Sequence, residues 1–226
     1  YWFRSQTDSE VVLNALAEWG TKALDRFNGM FAFALWDRKD RTLLLARDRY
    51  GIKPLYTSLQ NNTFAFGSEQ KAILAMPEFK RQVDKPALLE YFTFQNIFTD
   101  RTLLEDIKLL PAGYYATLDL KIEKPTLRRT QYWDYNFQEP TQHASREEYQ
   151  EELDRLFQQA VSRQLVSDVE IGSYLSGGMD SGSITAIAAK SFPYLKTFTC
   201  GFDLSSASGI ELSFDEREKA EAMSYH

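Results

Sequence analysis

The sequence predicts a mixed fold class, with an α+β layer domain over residues 1–140 and the start of a parallel-sheet α/β domain over residues 145–226. Two observations carry this prediction. Before residue 140, short apolar runs alternate with polar turns, which is typical of antiparallel hairpins. After residue 145, a strand, a Gly-rich turn, a helix and a second strand follow one another, and this βαβ order indicates a parallel sheet.

The first domain is predicted to begin with a helix that Asp8 can cap. Apolar residues then repeat with a 3.6-residue period as far as Trp19, and Gly20 stands where a helix would end. Two hairpins and two further helices follow, with predicted strands at Met30–Asp37, Thr42–Arg47, Leu55–Ser58 and Thr63–Phe66, and predicted helices at Ser68–Ala75 and Lys85–Phe94. A turn at 111–113 leads into one more strand.

The second domain is predicted to begin where Ser145 and Glu148 form a capping box. The helix that follows runs to about Leu165. Its βαβ unit is expected at Val169–Leu175 (strand), Met179–Ser191 (helix) and Thr197–Phe202 (strand). Helical periodicity returns at Phe214–His226.

The composition of the chain indicates which classes of binding partner are not expected. The net charge is −6 and basic residues are scattered, so a nucleic-acid binder is not expected. No apolar run approaches the ~20 residues that span a bilayer, so no membrane span is expected. A single cysteine, Cys200, rules out an internal disulfide framework and favours a reducing compartment, so the expected location is cytoplasmic.

The segment with the clearest chemistry is the bend between strand and helix, Leu175-Ser176-Gly177-Gly178-Met179-Asp180-Ser181. Glycines let backbone amides approach an anion, serine hydroxyls add donors, and the helix N-terminus is electropositive. The spacing differs from the common P-loop and from G-x-G-x-x-G. An aspartate beside phosphates requires a cation between them, so Asp180 predicts Mg²⁺. The alternative is an ordinary strand-to-helix turn in which Asp180 only caps the helix.

S-G-G-x-D-S after a strand resembles the pyrophosphate loop of the PP-loop ATP pyrophosphatase superfamily, whose members transfer AMP to a carboxyl or carbonyl oxygen. The resemblance implies ATP and pyrophosphate contacts from Leu175, Ser176, Gly177, Gly178, Asp180 and Ser181. It also implies that the second strand passes under the adenine, with the backbone of Cys200 in contact. A buried small residue is the plainer interpretation of Cys200, and both interpretations are compatible.

The first domain resembles the class II glutamine amidotransferase domain of asparagine synthetases, which has an αββα layer fold. The strings that carry this resemblance are Arg26–Asp37, Ala46–Tyr56, Phe66–Ala72, Leu110–Gly113 and Tyr132-Trp133. They occur in the family's order, and the pyrophosphate loop continues the match, so the resemblance covers essentially the whole chain.

The resemblance implies a glutamine-dependent asparagine synthetase. The first domain would release ammonia from glutamine, and the second would use ATP and Mg²⁺ to convert aspartate into β-aspartyl-AMP, which ammonia resolves into asparagine. Asp8 matches the family's acid for the glutamine α-amino group. The resemblance also implies a homodimer.

Several family features lie outside this sequence. The nucleophilic cysteine, the oxyanion Asn-Gly pair and the arginine for the glutamine carboxylate are expected upstream, and a later synthetase motif downstream. We therefore interpret the chain as a fragment that is inactive by itself. Asn28-Gly29 is interpreted as a turn, Arg47-Asp48-Arg49 as a structural ion-pair network, and Phe31, Phe33 and Trp36 as core.

Two rival functions stay open. A sibling enzyme, such as a β-lactam synthetase or an amidotransferase of exopolysaccharide or peptide modification, would differ in its acceptor. A non-catalytic nucleotide-binding module would have no need for an acid beside phosphates, so Asp180 argues against it.

Overall fold

The computed structural model describes residues 1–122, 125–139, 144–203, 205, 206, 209 and 214–225. The chain forms two compact units, Tyr1–Gln138 and Glu139–His226. The domain boundary predicted near residue 140 falls on residues 140–143, which lie outside the described part. Across the described residues, no helix has the length and apolar character that crossing a bilayer requires.

Over its described residues, 1–122 and 125–138, the first unit contains three α-helices and seven strands. The helices are α1 (Asp8–Trp19), α2 (Gln70–Leu74) and α3 (Lys85–Phe94), and a 3₁₀ segment, Gly20–Arg26, follows α1. The strands are β1 (Ala32–Asp37), β2 (Thr42–Arg47), β3 (Tyr56–Gln60), β4 (Thr63–Gly67), β5 (Ile107–Leu109), β6 (Tyr114–Asp119) and β7 (Arg128–Gln131). The 3-residue β5 and the exposed β7 were not predicted.

Both predicted hairpins are confirmed. Strands β1 and β2 pair antiparallel, as do β3 and β4. Between β3 and β4, Asn61 and Asn62 both have positive φ, +50° and +62°. Asparagine tolerates this left-handed backbone, and two such residues in succession form the turn that suits the twist of a hairpin.

The strands form two antiparallel sheets, in the orders β1-β2-β6-β7 and β4-β3-β5. Strand β2 shows how the layers stack, because its alternating side chains point to opposite faces. Leu45 packs in a cluster with Leu55 and Leu110, against which Phe64 of β4 also lies, so this cluster fills the space between the sheets. Leu44 faces the other way, onto the cluster of α1.

The second sheet is covered on its outer face in the same manner. Ala65 of β4 and Ile73 of α2 share a cluster with Ile107. The order of layers is therefore helix α1, first sheet, second sheet, helix α2, which confirms the expected αββα arrangement. Trp36, interpreted as core, is instead 44% exposed, while Phe31 and Phe33 are half-buried.

The charged triplet at the end of β2 is structural, but the predicted ion-pair network is wrong. Among residues 25–53, all of which the structure describes, no ion pair involves Arg47, Asp48 or Arg49. Backbone groups are their partners: the Arg47 guanidinium donates to three carbonyl oxygens, and the Asp48 carboxylate accepts from backbone amides. The dipoles of backbone amides and carbonyls thus stabilise these charged side chains in place of oppositely charged side chains.

The second unit contains helix α4 (Arg146–Gln164) and a βαβ unit made of β8 (Gly172–Tyr174), α5 (Met179–Ala189) and β9 (Lys196–Phe198). The capping box is confirmed, because the Ser145 hydroxyl accepts the Glu148 amide and the Glu148 carboxylate accepts the Ser145 amide. Strands β8 and β9 pair parallel, as predicted, and are shorter than expected.

Helix α6 (Arg217–Ser224) packs against glycines of the βαβ unit. A Cβ placed on Gly177 would lie 2.5 Å from the Lys219 Cβ, and one on Gly182 would lie 2.0 Å from the Met223 methyl carbon. Such distances are far below van der Waals contact. The glycines therefore permit this helix to approach the bend and the start of α5 closely.

Replacing Gly113 by alanine is expected to destabilise the first unit by about 2 kcal/mol or more. Gly113 has φ +70°, and an added Cβ would lie 2.6 Å from the Trp133 carbonyl oxygen. All four tryptophans lie in the first unit, so urea unfolding followed by tryptophan fluorescence reports on that unit. Gly29→Ala is the matched control, with open space around its Cβ, and should change stability by no more than about 0.5 kcal/mol.

Gly177→Ala is expected to loosen the bend of the second unit, because φ is +75° there and the Lys219 Cβ occupies the space. Gly178→Ala is the comparison variant, with φ −81° and only the Ser176 hydroxyl, at 3.3 Å, near the added carbon. Hydrogen exchange of peptides covering 172–190 should accelerate about tenfold or more in Gly177→Ala. This acceleration corresponds to a decrease of about 1.4 kcal/mol or more in the free energy of local opening. Equal exchange in the two variants would contradict the packing described for α6.

Candidate functional site

The bend that joins β8 to α5 is held by its own serines. The Ser176 and Ser181 hydroxyl oxygens lie 2.9 Å apart, and the Ser176 amide donates to the Ser181 hydroxyl at 3.2 Å. Leu175 anchors the start of the bend, since it is buried and its amide donates to the Phe198 carbonyl oxygen at 2.9 Å. The bend is thus a preformed loop at the carboxyl end of a parallel strand, where ligands bind in open α/β sheets.

The helix that follows presents free amides at this bend. Gly178 is the N-cap of α5, and no side chain from the described part of the chain caps the helix. The first amides of a helix have no partner within the helix, so those of the first turn, Met179 to Ser181, are available to an anion. Gly177 lies beside them with φ +75°, where a side chain would meet α6. This arrangement fits a phosphate group.

Asp180 lies in the first turn of α5 and is exposed. The Asp180 carboxylate takes part in no hydrogen bond or ion pair within the described residues. No group of three or more His, Cys, Asp or Glu side chains with metal-site geometry occurs in that part of the chain either. A lone carboxylate does not form a complete metal cage. It does fit Mg²⁺, which proteins commonly hold with one or two carboxylates, substrate phosphates and water.

Cys200 differs from its predicted surroundings. Strand β9 ends at Phe198, and Cys200 follows it as an exposed residue, so the expectation of a buried position within the strand is wrong. Thr199, which the sequence did not single out, donates its hydroxyl to the Leu175 carbonyl oxygen at 2.7 Å. This bond ties the end of β9 to the start of the bend. Cys200 therefore lies at the same edge of the sheet as the bend.

Asp8 lies in the first unit, at a cleft of about 590 Å³. The prediction that it caps α1 is wrong: Thr7 is the N-cap, with extended backbone, and Asp8 is the first helical residue. Glu10, in the first turn of α1, accepts the amides of Arg4 and Ser5 from the segment before the helix, at 2.9 and 2.7 Å. Within the described residues, the Asp8 carboxylate accepts a hydrogen bond only from the Ser9 hydroxyl, at 3.3 Å, so it is available to a ligand.

The cleft has apolar walls and two charged residues. Leu13, Leu16, Phe31 and Phe33 contribute the walls, and Asp8 and Lys53 are the two charged residues that line the cleft among the described residues. Sequence reasoning missed Lys53, although it lies in the motif string 46–56. An acid and a base on apolar walls suit a small zwitterion, and the volume lies within the range of small-molecule sites. Asp8 belongs to the first unit, and the bend at 175–181 belongs to the second.

Two family models match the chain. The glutamine amidotransferase domain matches residues 1–133, and the asparagine synthase model matches residues 152–226. The first match covers more than half of the chain and contains the cleft with Asp8. The second contains the bend and helix α6.

Curated relatives agree with both models. A glutamine-hydrolysing asparagine synthetase of Bacillus subtilis is 41% identical over 84% of this chain and 30% of its own length. A putative asparagine synthetase of Mycobacterium tuberculosis is 34% identical over 96% of this chain and 33% of its own length. A protein of Penicillium rubens named amidase chyE is 31% identical over 83% of this chain and 27% of its own length.

The chain spans about a third of the length of these relatives. The expected resemblance is confirmed in both halves, since each half matches its own model and the matches to relatives run across both. Together with the layer fold of the first unit and the βαβ bend of the second, these findings place the chain in the family of glutamine-hydrolysing asparagine synthetases.

Proposed function

We propose that the full-length protein amidates aspartate to asparagine, with glutamine as the source of ammonia and ATP as the activating substrate. The observation that carries this proposal is the bend at 175–181, where two paired hydroxyls lie at the end of a parallel strand and the first turn of α5, which includes Asp180, begins. The names of the relatives support the same reaction.

The roles proposed for the bend follow from its chemistry. The amides of the first turn of α5 and the hydroxyls of Ser176 and Ser181 bind the pyrophosphate of ATP. Asp180 holds Mg²⁺, which neutralises phosphate charge when bound. Leu175, Gly177 and Gly178 shape the loop, and the backbone at Cys200 meets the adenine.

The proposed reaction proceeds in two steps. An oxygen of the aspartate β-carboxylate attacks the α-phosphorus of ATP, and the bond to pyrophosphate breaks. Ammonia then attacks the resulting acyl carbon, AMP leaves, and the nitrogen loses a proton to give asparagine.

The cleft of the first unit is proposed to bind glutamine. Asp8 would pair with the α-ammonium group, and its lack of a strong partner among the described residues supports that role. A sibling enzyme that amidates another carboxylate is the second candidate, and the relative named as an amidase favours keeping it. The nitrogen source and the ATP site would be the same in both.

Asp8→Asn in the full-length protein is expected to raise the KM for glutamine about tenfold, because a charge pair worth about 1.4 kcal/mol is lost. Amidation with ammonium chloride in place of glutamine should be unchanged, since ammonia bypasses the cleft. Asp25→Asn is the matched control, an exposed aspartate of the same unit that does not line the cleft. The same rise of KM in Asp25→Asn would argue against substrate contact by Asp8.

Asp180→Asn is expected to lower Mg²⁺-dependent pyrophosphate release on the order of a hundredfold, the scale seen when one group that stabilises transition-state charge is lost. The measurement uses full-length protein with aspartate, ATP and ammonium chloride. Asp168→Asn, an exposed aspartate outside the bend, should behave as wild type. Full activity of Asp180→Asn would refute its metal role. Pyrophosphate release that requires another carboxylate acceptor would favour the sibling enzyme.

A further inference from the structure

Asp48 is the most buried charged residue of the first unit, with 1% of its surface exposed. Four backbone amides surround its carboxylate. The Oδ1 atom accepts from Tyr50 at 3.1 Å and from Ile52 at 3.0 Å. The Oδ2 atom accepts from Lys53 at 3.0 Å and from Phe31 at 3.3 Å. Amide donors thus hold this carboxylate without any ion pair among the described residues.

Two of these donors belong to the cleft that contains Asp8. Phe31 lines it just before β1, and Lys53 lines it from the loop after β2. A single oxygen of Asp48 therefore joins two walls of the cleft that are far apart along the chain. Its backbone strengthens the same junction, because the Asp48 amide donates to the Phe31 carbonyl oxygen at 2.8 Å.

Arg47 secures the loop from the other side. Its guanidinium donates to the carbonyl oxygens of Lys53 at 2.8 Å, Leu110 at 2.7 Å and Gly51 at 2.5 Å. Burial lowers the pKa of the Arg47 side chain. The loop 50–53 is therefore held through its amides by Asp48 and through its carbonyls by Arg47.

The charge of Asp48 is required by this geometry. A carboxylate accepts on both oxygens, whereas an asparagine amide accepts on one side and donates on the other. In Asp48→Asn, one of the two pairs of amides would face an NH₂ group. Leaving a buried donor without an acceptor is costly, so the loop or the start of β1 would shift.

We propose that Asp48 is a positioning residue for the cleft of the first unit: its carboxylate holds the walls at Phe31 and Lys53 in the geometry that binds glutamine beside Asp8. This inference rests on the proposed function of the cleft. Asp48 does not line the cleft, so it acts through the residues that do.

The test uses full-length Asp48→Asn at a temperature where tryptophan fluorescence shows the variant to be folded. The expected result is a rise in the KM for glutamine of about tenfold or more, the scale of effect when a bound group is displaced by a fraction of an ångström. The rate with ammonium chloride should stay within about twofold of wild type, since a binding defect confined to the cleft does not alter the synthetase step.

Asp84→Asn is the matched control. Asp84 is another buried aspartate of the first unit, which accepts the Ala87 amide at 3.0 Å and pairs with Arg101, and it does not line the cleft. It should lose stability while keeping the wild-type KM for glutamine. Equal KM changes in Asp48→Asn and Asp84→Asn would overturn the inference, because general loosening would then explain both.

If Asp48→Asn does not fold, the KM for glutamine is measured on Gly51→Ala. Gly51 has φ +64°, and an added Cβ would lie 2.8 Å from the Arg47 guanidinium carbon, so this change displaces the loop while leaving the carboxylate intact. The inference predicts a raised KM for glutamine here too, and an unchanged KM would overturn it. A wild-type protein that uses ammonia but never glutamine would instead refute the proposed function of the cleft.

Discussion

The first unit depends on strand β2 being covered on both faces. Leu44 needs helix α1 on one side, and Leu45 needs the second sheet on the other. A strand with apolar side chains on both faces cannot lie at a surface without exposing one of them, so a layer is required on each side. The position of β2 between helix and sheet sets where its last residue, Arg47, and the loop after it must lie. The cleft wall at Lys53 follows from this placement.

Local signals predicted the bounds of the elements whose ends are marked by turn or capping residues. The bounds of β2 and α3 agree with the sequence prediction, because polar turn residues and a proline near the helix start mark them. The capping box of α4 is equally local. Strands β5 and β7 were missed because β5 has only three residues and β7 is exposed along its whole length, so neither carries a periodic apolar pattern. They exist because β3 and β6 offer them an edge.

The candidate sites, too, could be predicted only in part from the sequence. The glycine-rich bend was predicted in the correct place, between a parallel strand and a helix, because its composition permits few other structures. The partners of Asp48 were not predictable from residue types alone. Adjacent arginines suggested ion pairs, but the folded backbone brings four amides to the carboxylate and three carbonyls to the Arg47 guanidinium. Such contacts depend on tertiary geometry. The exposure of Cys200 likewise follows from β9 ending at Phe198, two residues before it.

The hydroxyls of Ser176 and Ser181 are bonded to each other, and this bond affects the binding of an anion that is proposed for the bend. One hydroxyl donates to the other across 2.9 Å, so an anion that accepts from the donating hydroxyl must first replace that bond. The binding free energy that the anion gains from such an exchange is smaller than the gain from an unbonded hydroxyl, by up to about 1 kcal/mol. An anion with several acceptor oxygens offsets this loss, because its other oxygens can accept from the amides of the first turn of α5 at the same time.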